Sequence, residues 1–150
     1  MKHIRTQIRE AVANLLTGRA PLVKVYTSRM ANIAQENLPA ATVILADEDS
    51  ENATMGANAT QDRAGQLQVQ VRVRSKDESD PDQQFDAIAD QCALVIEQAL
   101  AESELLGGLL KFITYTGMNS EYSENQPEGV ITLTWGVRYF TRALTPDQAA

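Results

Sequence analysis

Four acidic side chains, Asp47, Glu48, Asp49 and Glu51, stand almost side by side, and Asp62 adds a fifth charge before Arg63 answers with one of the opposite sign. Carboxylates spaced one or two residues apart suit a hard cation such as Mg²⁺ or Ca²⁺. The calcium-loop pattern, with glycine at its sixth position and glutamate at its twelfth, is not matched here. A solvated charge run or a charged contact between subunits explains the cluster as well. His3 is the single imidazole in the chain, and no Gly-x-Ser-x-Gly elbow exists for it to serve. Cys92 falls on an apolar stripe between Ala89 and Val95, where a cysteine packs as a small hydrophobe. Gly107-Gly108 follows no strand and belongs to no phosphate-cradling pattern, so a helix break or cap is its expected role. Arg72 and Arg74, with Arg138 and Arg142, would form a basic stripe on the polar face of a sheet. In an acidic protein such a stripe is expected to meet a neighbour's carboxylates.

Composition narrows the field further. The 150 residues suit one domain, large enough to bury a core without disulfides or metal. A net charge of −7 and a pI near 4.7 argue against sequence-specific nucleic-acid binding and against docking on an anionic membrane. One cysteine excludes an internal disulfide and a cysteine-rich zinc site. The most apolar stretch, Ala40 to Ala46, is far shorter than the roughly 20 residues a membrane-spanning helix needs. Charges at Arg5, Arg9 and Glu10 interrupt any secretory apolar core, so a cytosolic product is expected.

Hydrophobic periodicity sets the elements that would position these groups. Ile4, Ile8, Val12, Leu15 and Leu16 make one helical stripe over residues 3–16, stopped by Gly18. Leu22 to Tyr26 reads as a short strand, Ser28 to Asn37 as a helical turn or structured loop, and Ala41 to Leu45 as a strand buried on both faces. Residues 47–65 are small, polar and charged, and are expected to form a mobile loop. Gln66 to Arg74 alternates strictly, with Leu67, Val69, Val71 and Val73 on one side. Asp80 and Pro81 look like the cap and first residue of a helix reaching about Leu100. A short helix is expected around Glu104 to Leu110, a strand at Phe112, Thr114 and Thr116, and a polar loop over 118–128. A last strand runs from Val130 to Thr141, and the tail 143–150 is expected to fray. The order helix, three strands, helix, two strands predicts an α+β fold. Its single mixed, mostly antiparallel sheet has about five strands, with two main helices on one face, over a domain spanning 1–142.

Several stretches recur together in one known family. They are Met1-Lys2-His3 with its helix through Leu16, Leu38-Pro39-Ala40-Ala41-Thr42-Val43, the acidic segment, and the Leu67–Val73 strand. The Asp86–Leu100 helix, Leu106-Gly107-Gly108-Leu109, and Gly129-Val130-Ile131-Thr132-Leu133-Thr134 through Tyr139 complete the set. Over roughly residues 1–141 the chain resembles tail terminators of long, non-contractile-tailed phages, the minor tail protein U family. The resemblance implies a non-enzymatic virion protein, assembled in the host cytoplasm, that forms a homohexameric ring at the head-proximal end of the tail. Such a ring caps the tube, stops its polymerisation and offers a surface to head-completion proteins. The tail tube protein and a neck protein are thus the implied partners. No cofactor is expected beyond weak help from divalent cations in screening the −7 charge of each subunit. Asp47, Glu48, Asp49, Glu51, Arg72, Arg74 and Arg138 are the residues expected at subunit or partner contacts, and no catalytic or metal-binding residue is expected. The extended 47–65 segment and the 143–150 tail depart from the compact family pattern. Another neck or tail-completion protein, a small-molecule-binding regulatory domain, and an enzyme with a site between chains are the alternative readings.

Overall fold

A computed structural model describes residues 2–27, 33–75, 81–122 and 128–150. Helix α1 (Ile4–Leu16) is followed by strands β1 (Lys24–Tyr26), β2 (Ala40–Asn52) and β3 (Thr60–Arg74). Helix α2 (Pro81–Glu102) then leads to β4 (Phe112–Tyr122) and β5 (Glu128–Arg142). The strands form one sheet in the order β1-β2-β3-β5-β4, parallel only between β1 and β2. This is the α+β architecture that the sequence pattern predicts. A single 3-10 turn, Gln35–Asn37, lies in the ambiguous segment after β1. Residues 28–32 and the expected cap Asp80 lie outside the described residues.

Period-two alternation decides which sheet face the helices cover. Leu67, Val69, Val71 and Val73 of β3 and Ile131, Leu133, Trp135 and Val137 of β5 are buried in one cluster with Ile4, Ile8, Val12 and Leu16 of α1 and Phe85, Ala89, Cys92 and Ile96 of α2. Burying each aliphatic side chain contributes roughly 1.5–3 kcal/mol, so this shared layer is the main drive for folding. Ala40, Thr42 and Ile44 of β2 point to the other face, yet they too are buried. In register they lie beside Arg72, Gln70 and Gln68, whose aliphatic stems are long enough to cover such neighbours.

Residues 47–65 are not a mobile loop. They are the outer half of a hairpin in which β2 pairs with β3 as far as Asn52↔Gln61, and β3 pairs with β5 from Thr60↔Arg142 to Arg74↔Glu128. Composition misleads here because it counts apolar burial only. The β3 half of this stretch is bonded on both sides, to β2 and β5, the β2 half is bonded to β3, and the turn proper shrinks to the residues between Asn52 and Thr60. Ala59 at the tip is buried, and its carbonyl accepts from the Ala143 amide at 3.0 Å. The tail adds further bonds: the Ile4 amide donates to the Pro146 carbonyl at 3.0 Å, and Gln7 Nε2 to the Asp147 carbonyl at 2.6 Å.

Two other expectations are corrected. The polar segment beginning at residue 118 continues β4 to Tyr122, paired with β5 as far as Gly129, and Tyr122 packs at a tilt against Phe85 of α2 with ring centroids 5.3 Å apart. Residues 123–127 are outside the described residues. The short helical element expected near Gly107-Gly108 is present at Glu104–Gly107, but it winds left-handed: Glu104, Leu105 and Leu106 have φ of 50°, 60° and 55°. Such a conformation costs an L-residue roughly 1–2 kcal/mol. Gly108, at φ 96°, closes the turn with its amide bonded to the Leu105 carbonyl, the capping role foreseen for the pair.

Gly129 faces the Phe85 ring so closely that a Cβ there would lie 2.4 Å from Phe85 Cε2 and 2.9 Å from the Glu121 carbonyl oxygen. Gly129→Ala is therefore expected to lower stability by about 1–3 kcal/mol in urea unfolding. Gly65→Ala, whose Cβ would meet nothing nearer than 3.7 Å, is expected to cost far less.

Candidate functional site

The acidic cluster is divided by a β-bulge. Ala46 pairs with Gln66 and Asp49 with Ala64, so Asp47 and Glu48 together oppose Gly65 alone. Asp47 takes the left-handed conformation at φ 54°, and the extra residue reverses the alternation of β2. Glu48 consequently turns toward the helices, while Asp47, Asp49 and Glu51 are exposed.

Glu48 anchors a polar cluster under the start of α1. Its carboxylate accepts from Arg5 Nη1 at 2.9 Å, from Arg63 Nη1 at 3.4 Å, and from the Tyr139 hydroxyl in close contact. Burial pulls the Glu48 pKa up, but the Tyr139 bond and the charges of Arg63 and Arg5 outweigh it and hold the carboxyl below its ordinary 4.5. Tyr139 is fully buried, and burial followed by the bond and charge of Glu48 keeps its phenol protonated far above the ordinary 10. His3 joins from the helix cap, where Nδ1 accepts from the Arg5 amide at 3.1 Å. Its Nε2 lies 3.3 Å from Arg63 Nη1. Burial, then the charges of Arg5 and Arg63, lower the imidazole below 6.5 and favour the neutral ring. In this polar cluster Glu48 is an acceptor shared by three donors of its own chain.

The other expected contact residues are dispersed. Arg138, on the helix-free face, is held within the chain by Asp62, Nε to Oδ1 at 3.2 Å with a second, shorter bond from Nη2. Arg72 lies between Ala40 and Val130 in register, and Arg74 opposite Glu128. Among the described residues no three His, Cys, Asp or Glu side chains converge where a metal ion could sit. No helix among them is long and apolar enough to cross a membrane. Cys92 is fully buried, and burial pushes its thiol up to about 11.

A feature that single-strand patterns do not show is the apolar border at β4. Tyr115 and Met118 on the helix side, and Phe112 on the opposite face beside Arg138, are each about half exposed there. A groove of about 270 Å³, at the small end for ligand pockets, runs beside Tyr115 between α2 and the sheet. It is lined by Glu97, Leu100, Ala101, Ile113, Tyr115 and Trp135. The helices sit mainly over β2, β3 and β5; α2 reaches β4 at Ile113 and Tyr122, and Tyr115 and Met118 between them stay half exposed. The exposed aromatic and methionine residues of β4 were the available signal.

The chain belongs to the phage minor tail protein U family, whose sequence profile matches residues 3–139. No curated protein matches the chain. Among solved structures it is similar to a chain of the virion of a native gene transfer agent particle, at 14% identity and TM-score 0.52. That match covers 89% of this chain and 95% of the other, and it establishes a shared fold.

Two measurements test the buried chemistry. His3 and Glu48 both have lowered pKa values, so in acid the unfolded chain binds more protons and stability falls. Their contributions are complete above 6.5 and 4.5 respectively, and each is lost as pH drops through the folded value. Melting temperature is expected to decline in two stages below pH 6.5, the first absent in His3→Asn, whose side-chain oxygen can replace Nδ1 as the capping acceptor. Glu48→Gln is expected to remove the second stage and to cost about 1–3 kcal/mol at neutral pH. Cys92 is expected to resist a thiol reagent in the native protein and to react stoichiometrically once unfolded; rapid native labelling would contradict its burial.

Proposed function

We propose that the chain is a tail terminator: copies close into a six-fold ring on the head-proximal end of the tail tube, stop its growth and present a surface to the head-completion proteins. The observation that carries this reading is the family match over nearly the whole chain, 3–139. The shared fold with a virion chain of a gene transfer agent supports it. The role is structural, with binding energy spread over surfaces and no reacting centre required. Asp47, Asp49 and Glu51 form an exposed acidic margin along the hairpin, suited to an oppositely charged surface of the tube or neck. Arg72 and Arg74 remain candidates for contacts at the other end of β3. Because each subunit carries −7, closure is expected to be favoured by moderate salt or Mg²⁺.

The test combines native mass spectrometry over a concentration series, with and without Mg²⁺, and electron microscopy of tube protein polymerised with and without the chain. A closed six-fold species and tubes that stop growing when it is added are the expected results. A chain that stays monomeric and leaves tube growth untouched would overturn the terminator reading.

A further inference from the structure

Among the described residues the sheet has two unpaired edges, at β1 and at β4, and they differ in charge. Following the register across all five strands, one row reads Lys24, Ala40, Arg72, Val130 and Glu121. All five side chains lie on the helix-free face. The row begins with a cation at the β1 edge, carries a second cation at Arg72, and ends with an anion at the β4 edge. Lys24 and Glu121 are both exposed, and neither has an ion-pair partner among the described residues. On the helix side of the same margins stand Val23, 56% exposed beside β1, and Tyr122 of β4.

Strand directions make these edges compatible. β1 runs parallel to β2, and each later neighbour in the order β2-β3-β5-β4 is antiparallel to the one before, so β4 runs opposite to β1. A second copy in the same orientation, placed so that its sheet continues this one, therefore brings β1 antiparallel against β4. Continuing each row places Lys24 opposite Glu121, Val25 opposite Ser120, Tyr26 opposite Asn119, and Val23 opposite Tyr122. Opposite charges meet on one face, an apolar pair meets on the other, and backbone groups at both edges gain partners.

We infer that β1 of one copy adds to the free edge of β4 of the next, with Lys24 facing Glu121. The contact is head-to-tail, each copy using one edge for each neighbour, which is the geometry that closes a ring when the rotation permits. It rests on the ring reading above and supplies that reading with its subunit contact.

Charge reversal tests it. Lys24→Glu and Glu121→Lys are exposed changes expected to leave the melting temperature of the monomer unchanged. Each alone places like charges across every contact and is expected to raise the concentration for half-assembly about tenfold or more. An equimolar mixture of the two variants, one labelled with ¹⁵N, is expected to recover assembly as rings of strictly alternating copies in native mass spectrometry. The double variant is expected to recover it as well. The neutral pair Lys24→Gln and Glu121→Gln weakens assembly without repulsion and serves if a reversal disturbs folding. Wild-type rings with unaffected single variants, or weakened variants that do not rescue each other, would overturn this contact while leaving the ring intact. A wild-type chain that never assembles would overturn the ring reading, and the contact with it.

Discussion

A carboxylate turned inward must be given donors, and in this protein the donors it recruits come from both layers. Glu48 draws Arg5 from α1, Arg63 from β3 and Tyr139 from β5 onto one acceptor. Removing any one of them would leave charge or hydroxyl dipole stranded in a half-dry site, which is why such clusters fix geometry better than they add stability. The bulge at Asp47 creates this need by reversing the alternation of β2. His3 completes the arrangement as the cap of α1, so the first turn of the helix, the bulge and the middle of the sheet are held in one register. The apolar layer supplies most of the drive to fold, and the polar cluster decides how α1 sits upon it.

The helices cover the sheet unequally, and this asymmetry gives the molecule its surfaces. α1 and α2 close over the alternating faces of β2, β3 and β5 and reach β4 chiefly at Ile113 and Tyr122, leaving Tyr115 and Met118 half exposed. Exposed apolar margins of this kind commonly mark contact surfaces. The membership of a minor tail protein family gives this exposed margin a natural context.

Much of the architecture was legible because periodicity reports burial directly. The Ile4–Leu16 stripe, the Leu67–Val73 alternation and the Phe85–Ala99 stripe each identify one element and its buried face. The hairpin arm was illegible for a physical reason: its residues contribute backbone pairing and charge contacts rather than apolar area, and neither leaves a hydrophobic pattern. The bulge compounds this, since one extra residue silently moves Glu48 to the opposite face from the one its neighbours imply. The same limitation hid the roles of His3 and Arg63, which depend on contacts across dozens of residues. The left-handed turn at Glu104–Leu106 escaped because three non-glycine residues seldom adopt that conformation together.

The two central strands have a mechanical consequence. At about 3.3 Å per residue, fifteen-residue strands such as β3 and β5 reach roughly 50 Å, while a compact sphere of this chain length would be only about 40 Å across. Because β3 and β5 are bonded to each other along their entire length, they behave as one beam running the height of the molecule. A body pressing on Met55 at the hairpin tip, 98% exposed, would load that beam along its axis. The push would arrive at the Arg74 end with little lost to bending, since the ladder resists sliding as a row of parallel springs does. The height of the molecule along this axis is thus set by the length of two strands.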